Sequence, residues 1–286
     1  MTAGELPPEQ PRGARRAAHG LVDFLARHWP FLLALLGGVI VRALVTAAYW
    51  PAFWFQADSR MYLHASTHLR PGAYGGANGL GYPALLRLLS VTDSLAVVAL
   101  VQHLAALGLA VASYAFLRKR ELPGWLATAA TLPLLFDARQ VGLEHYLLSD
   151  TMFLVLVVGG LLLLARRQRP GYRACVAAGA MLGLAAVTRT IGVGVLGIAA
   201  VYLLVRWVGW RRVAVFALTV LVAFGGYLAW NHAETGSFAL SSKPGKFFYS
   251  RTAQIADCAA LRLSAAQRRL CPDEPLGQRP ERGDYY

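Results

Sequence analysis

Apolar residues in this chain come in long blocks separated by short basic or aromatic-rich stretches. A helix crossing the hydrocarbon core of a bilayer needs about 20 consecutive, mostly apolar residues, so blocks near that length organise the reading. The first runs from Trp29 to Tyr49 and is interrupted by Arg42. Residues 50–94 are mixed, rich in Gly, Pro and aromatics, and cannot span. Further blocks run from Leu95 to Leu117, from Leu122 to Phe136 and from Leu147 to Ala165. Pro123 suits a first helical turn. Ala174 to Val205 is too long for one span and is broken near its middle by Thr188-Arg189-Thr190, which predicts two spans joined by a tight turn. The last block runs from Val213 to Trp230, and polar sequence follows from Asn231 to Tyr286.

The pattern predicts an all-α integral membrane protein of about seven transmembrane helices. Its parts are an N-terminal tail at 1–28, a membrane domain at 29–230 and a tail at 231–286. In the first loop, at about 50–94, Met61, Tyr62, Ala65 and Leu69 recur at helical spacing after Asp58. That predicts a helix lying along the interface. Gly79-Leu80-Gly81-Tyr82-Pro83 reads as a turn at the membrane surface.

Composition agrees: 56% of the 286 residues are hydrophobic, with a mean hydropathy of +0.45. The formal net charge of +13 would suggest nucleic acid in a soluble domain. Here the arginines sit between apolar blocks, which excludes nucleic acid as partner and fits loops held at an anionic cytoplasmic surface. With Arg12, Arg15, Arg16 and Arg27 placed inside, the clusters Arg118–Arg120, Arg166–Arg173 and Arg206–Arg212 all fall inside as well. Asp58, Asp137, Glu144, Asp150, the Arg189 turn and everything after Trp230 then fall outside. The basic flank at Met1–Arg27 also fits a cleaved signal peptide, but the run behind it is long enough to span and more spans follow. Cys175 lies in an apolar block, while Cys258 and Cys271 lie in the outer tail. Those two either stay free or close a disulfide worth about 2–4 kcal/mol.

Four stretches carry candidate chemistry. Asp58 is either the N-cap of the interfacial helix or an ionised carboxylate within reach of a lipid-borne substrate. In Glu144-His145-Tyr146-Leu147-Leu148-Ser149-Asp150, the pairs His145/Ser149 and Tyr146/Asp150 share a face if one helix carries them. Asp150 is then either a cap or a functional acid at the membrane boundary, and His145 a weaker metal-ligand candidate. Arg189, on the side where arginine is disfavoured, wants a carboxylate or a phosphate. Arg42, inside the first span, is expected to pair within the bundle. No nucleotide-binding glycine loop, GxSxG elbow, HExxH motif or CxxC pair is present.

Asp58-Ser59-x-x-Tyr62 after the first span and Gly81-Tyr82-Pro83 before the second resemble the first outer loop of GT-C membrane glycosyltransferases. These include protein O-mannosyltransferases and lipid A aminoarabinose transferases. Leu148-Ser149-Asp150-x-x-Phe153 is similar to their acidic mouth of the fourth span, and Gly183-Leu184-Ala185-Ala186-Val187-Thr188-Arg189 to their Gly-Leu-Ala…Thr-Arg turn. Asn231 to Ser242, with Thr235-Gly236-Ser237-Phe238, resembles the segment after the seventh span of bacterial members. The resemblance covers most of residues 30–250. Members are usually longer, so residues 231–286 are expected to be an extracytoplasmic tail or the start of a truncated C-terminal region.

The resemblance implies a sugar donor on polyprenyl phosphate, and a cell-envelope glycan, lipid or protein as acceptor among membrane lipids. It makes Asp58 the base, with Asp150 as second catalytic acid. Arg189 and Tyr62 contact the donor phosphate, with Glu144, His145 and Tyr82 in support. A divalent cation (Mg or Mn) at Asp58 and Asp150 is a supplement to that chemistry. Tyr49-Trp50, Phe53-Trp54-Phe55 and Tyr74 suit stacking on sugar or lipid, or anchoring at the interface. Two other classes stay open. A transporter or flippase would place charges along a midplane path, and a membrane scaffold remnant would need no chemistry.

Overall fold

The computed structural model describes residues 12–72, 79–240 and 244–279. Among them the fold is all-helical, and its one β feature is an isolated parallel bridge between Phe53 and Tyr146. The helices are α1 Arg12–Ala48, α2 Gln56–Thr67, α3 Gly81–Leu89, α4 Leu95–Lys119, α5 Gly124–Phe136, α6 Ala138–His145 and α7 Asp150–Ala165. They continue with α8 Tyr172–Thr188, α9 Gly192–Val205, α10 Trp210–Val220, α11 Gly226–Thr235, α12 Pro244–Thr252 and α13 Ala265–Arg268. A single π turn, Leu221–Gly225, joins α10 to α11 without a break.

Three helical stretches, Asp23–Ala48, Leu95–Lys119 and Trp210–Thr235, are long and apolar enough to cross a membrane. Their large apolar side chains face outward: Leu33 is 59% exposed, Leu44 64% and Val222 70%. Such surfaces suit hydrocarbon, not water. Four further apolar helices (α5, α7, α8 and α9) are shorter, at 13, 16, 17 and 14 residues.

Several boundaries differ from the sequence reading. Helix starts at Arg12, so the N-terminal tail is in large part the first turns of α1. Pro123 caps α5 from outside it. Gly81-Tyr82-Pro83 is the opening turn of α3, where a proline ring is tolerated because the first amides have no helical partner. The helix of the last apolar block runs past Trp230 to Thr235, as α11, and ends on Gly236 in the left-handed region, as helices commonly do. Cys258 and Cys271 form a disulfide in the C-terminal segment, with Cα atoms 6.1 Å apart.

Two packed groups form the bundle. Phe31, Ala110, Tyr114, Ala127 and Leu135 join α1, α4 and α5, with the Phe31 and Tyr114 rings stacked at 3.9 Å. Leu164, Cys175, Leu182, Leu203 and Phe216 join α7, α8, α9 and α10. Small residues on α8 let backbones approach. A Cβ on Gly179 would come within 2.9 Å of the Phe216 carbonyl oxygen.

Arg42 ties the first group to the site. It is 3% exposed, and its guanidinium donates Nε and Nη2 to the two Glu144 carboxylate oxygens, each at 2.7 Å. The other donors reach the carbonyls of Gly38 (3.1 Å), Leu135 (3.0 Å) and Leu134 (3.0 Å). The last two belong to the end of α5, where carbonyls have no intrahelical partner, so one side chain satisfies its own donors and a helix terminus. Glu144 is fully buried, which corrects its expected place at the outer surface.

His103 Nδ1 lies 2.9 Å from the Glu144 carboxylate, His103 Nε2 3.2 Å from His145 Nδ1, and His145 Nε2 2.8 Å from the Tyr49 carbonyl. Every ring nitrogen of the two buried histidines thus lies within hydrogen-bond distance of a partner, which extends the Arg42–Glu144 pair to the α1–α2 connection at Tyr49.

Removing one member strands the others. Glu144→Leu is expected to cost about 3–5 kcal/mol, while the double variant Arg42→Met/Glu144→Leu is expected to recover a large part of that loss. Thermal unfolding in detergent measures both, and a double variant that loses more than Glu144→Leu alone would show that the stranded guanidinium is not the source of the loss.

Candidate active-site cleft

The chain between α1 and α2 is clasped to the chain between α6 and α7. Phe53 N donates to the His145 carbonyl (2.9 Å) and Leu147 N to the Phe53 carbonyl (3.2 Å). From α4, Gln102 Nε2 donates to the Glu144 carbonyl (2.8 Å) and the Tyr146 carbonyl (2.9 Å), and its oxygen accepts from the Tyr82 hydroxyl (3.0 Å). Tyr146 is thus extended, at φ −76° and ψ 148°, and α7 starts afresh at Asp150. His145/Ser149 and Tyr146/Asp150 do not share a helix, which corrects the single helix read from the sequence. The break turns His145 inward, fully buried, while Asp150 faces out.

Above the clasp lies a cleft of about 680 Å³, lined by Phe55, Asp58, Tyr62, Gly79, Arg139, Leu143, Tyr146, Leu148, Asp150, Thr188, Arg189 and Thr190. It brings together α2, the α6–α7 connection and the α8–α9 turn, which are far apart in sequence. Of the predicted site residues, Asp58, Asp150, Arg189 and Tyr62 line it. Tyr82, with no exposed surface, packs edge-on against Tyr62 at 5.0 Å between ring centres and acts from behind. Glu144 and His145 face the buried network and not the cleft. Of the aromatics, Phe55 lines the cleft, Phe53 belongs to the clasp, Trp50 and Trp54 are exposed, and Tyr74 lies outside the described residues.

Asp58 is not the N-cap of α2. The cap is Phe55, whose amide donates to Ser59 Oγ (2.9 Å), and that hydroxyl donates on to the Leu147 carbonyl (3.2 Å). Ser59 thus does the capping and seats α2 on the clasp. Asp58, in the first turn of α2, is left with its carboxylate free at the positive end of the helix dipole. Partial burial pushes its pKa up; Arg189 draws it down and Asp150 pushes it up again.

Arg189 Nη1 sits 2.7 Å from Asp150 Oδ2 and 3.4 Å from Ser149 Oγ, whose hydroxyl also meets the Tyr62 hydroxyl at 2.9 Å. Burial raises the Tyr62 phenol above its ordinary value, so it keeps its hydrogen at neutral pH. The close approach of α3 to the end of α8 needs glycine. A Cβ on Gly79 would run into the Val187 carbonyl, and one on Gly81 into the Thr188 side chain.

Arg139 is the functional candidate that the sequence reading passed over. It is exposed, lines the cleft and has no ion-pair or hydrogen-bond partner among the described residues. Like Arg189, it presents a guanidinium to the cleft. The donor set does not make a cation site. Asp150 is already engaged by Arg189, which leaves Asp58 as the free carboxylate, and no group of three or more His, Cys, Asp or Glu gathers among the described residues.

Compared with known proteins, the chain matches no family model, no curated sequence and no solved structure.

The cleft electrostatics have a signed consequence. Asp150→Asn removes a repelling charge and frees Arg189, so the Asp58 pKa is expected to fall; Arg189→Gln removes the attracting charge, so it is expected to rise. A ¹³C titration of labelled aspartate carboxyls in micelles reads both shifts, and movement in one common direction would contradict the assignment.

Proposed function

We propose that the chain is a membrane glycosyltransferase of the GT-C kind. It moves a sugar from a polyprenyl-phosphate carrier to an acceptor hydroxyl on an envelope glycan, lipid or protein. The observation that carries this reading is the juxtaposition of a free, half-buried carboxylate, Asp58, with two arginines, Arg139 and Arg189, in one cleft at the end of an apolar bundle. In this reading all seven apolar helices cross the membrane, the N-terminus is cytoplasmic, and the cleft opens at the outer face. The shorter helices, about 20–26 Å long, fall below the ~30 Å core and rely on flanking residues and local bilayer thinning.

The chemistry follows from the residues. Asp58 accepts the proton of the acceptor hydroxyl, and that oxygen attacks the anomeric carbon on the face away from the phosphate. The bond from the anomeric carbon to the phosphate oxygen breaks with its electrons on the phosphate, so configuration inverts and polyprenyl phosphate leaves. A carboxylate whose pKa is raised towards the working pH is a better base than an ordinary one. The departing phosphate needs positive charge more than a proton. Arg139, with its donors free, supplies it directly, and Arg189 adds to it while Asp150 holds the guanidinium in place. Asp150 is in this scheme a positioning residue. Phe55, Leu143, Tyr146 and Leu148 offer an apolar wall for the sugar face or the first prenyl unit.

Purified protein with a defined polyprenyl-phosphate sugar tests the reading. Asp58→Asn is expected to lower turnover by about 10²–10⁴-fold while leaving expression and melting unchanged. Arg139→Ala is expected to raise KM for the lipid donor. Full turnover in the Asp58 variant removes the base. Movement of the carrier across vesicles without sugar transfer would assign the protein to transport.

A further inference from the structure

A second cavity, of about 430 Å³, opens on the side of the bundle at the far end of α7 from Asp150. From Asp150 to the rim of this cavity at Arg166 α7 runs 16 residues, about 24 Å, so the rim and the cleft lie at opposite ends of that helix. Its walls come from α4, α7 and α8. Ala112, Ala115 and Gly159 leave the space, Leu162 makes it apolar, and Lys119 and Arg166 stand at its rim. The groove from Gly159 to Arg166 is about 10 Å deep along the helix.

The two rim cations are free. Neither Lys119 nor Arg166 has a hydrogen-bond or ion-pair partner among the described residues, and both are exposed. Their neighbour Arg120 is committed elsewhere: it donates to the Ala165 carbonyl and lies over the Phe116 ring at 5.3 Å. The negative helix ends of α4 and α7 point at this rim and oppose an anion. Against those two partial charges stand six whole positive ones, Arg118, Lys119, Arg120, Arg166, Arg167 and Arg169, with Glu121 the single acid in those two runs.

A groove that is apolar inside the bundle and cationic at its lip matches a molecule with a hydrocarbon chain and an anionic head. We propose that it binds one anionic phospholipid, an acyl chain lying between α4, α7 and α8 and the headgroup phosphate bridging Lys119 and Arg166. A choline headgroup would bring its own cation against the same two side chains, so the site discriminates by charge. The inference needs only the membrane location of the bundle and stands apart from the chemistry of the cleft.

The experiment uses the full chain, stripped of lipid in detergent and titrated with phosphatidylglycerol or with phosphatidylcholine of the same acyl chains. Native mass spectrometry reads chain-plus-lipid adducts. The expected result is saturation at one phosphatidylglycerol, with clear preference over phosphatidylcholine. The double variant Lys119→Gln/Arg166→Gln, confined to exposed side chains, is expected to bind phosphatidylglycerol about thirtyfold more weakly, from ~1 kcal/mol per basic residue, with phosphatidylcholine unchanged. Ala115→Trp, which fills the groove from an exposed position, is expected to remove the bound lipid of either kind. Equal affinity for the two lipids, adducts that accumulate without saturating at one, or full phosphatidylglycerol binding in either variant would each overturn the proposal.

Discussion

The fold depends on one buried ion pair, Arg42 with Glu144. An unpaired guanidinium inside an apolar helix is among the most costly arrangements a membrane domain can hold. Here every donor is used, and two of the carbonyls that need a partner at the end of α5 find it on the same side chain. The pair fixes α6 at one angle to α1. That angle decides where the chain emerges after His145, and hence where Asp150 begins α7. Taken alone, such a pair is weak grounds for stability, because desolvation offsets much of its attraction. Its effect here is specificity of position: few other packings of α1, α5 and α6 would satisfy all these groups together.

That dependence runs outward to the cleft through backbone. Gln102 and the Phe53 clasp hold residues 144–147 by their amides and carbonyls, so the side chains of Tyr146 and Leu148 are presented by a segment with little freedom of its own. Asp58 is held through Ser59 and not through its own carboxylate, which leaves that group unspent. A site built this way keeps its reactive atoms free because neighbours carry the structural work.

Much of the plan was legible in the sequence, because block length and arginine placement are strong signals in a membrane protein. The helix around Asp58, the break at Thr188-Arg189-Thr190 and an internal partner for Arg42 all followed from periodicity and the cost of buried charge. What escaped was set by tertiary contact. Nothing in Glu144-His145-Tyr146 announces that the helix stops there, since the stop is imposed by hydrogen bonds from residue 53, about ninety positions away. The Gly-Pro stretch before α3 reads as a turn by local rules, yet its glycines serve contact with α8 and its proline starts a helix. Asp58 looked like a cap because caps are chosen by residue type, and the sequence could not show that Ser59 had the better geometry. Arg139 was hidden among polar neighbours, and only the packing of α6 against the cleft brings it beside Arg189.

The clasp at Phe53 also sets which wall of the cleft can give way. The α1–α2 and α6–α7 connections are sewn together by main-chain hydrogen bonds and cannot part without breaking them. On the opposite side, Gly79 and Gly81 meet Val187 and Thr188 by close contact, with no backbone hydrogen bond between them among the described residues. A side chain added at Gly79 or Gly81 would push the start of α3 off the end of α8 and so widen the cleft on that side, while the clasp keeps the other wall in place.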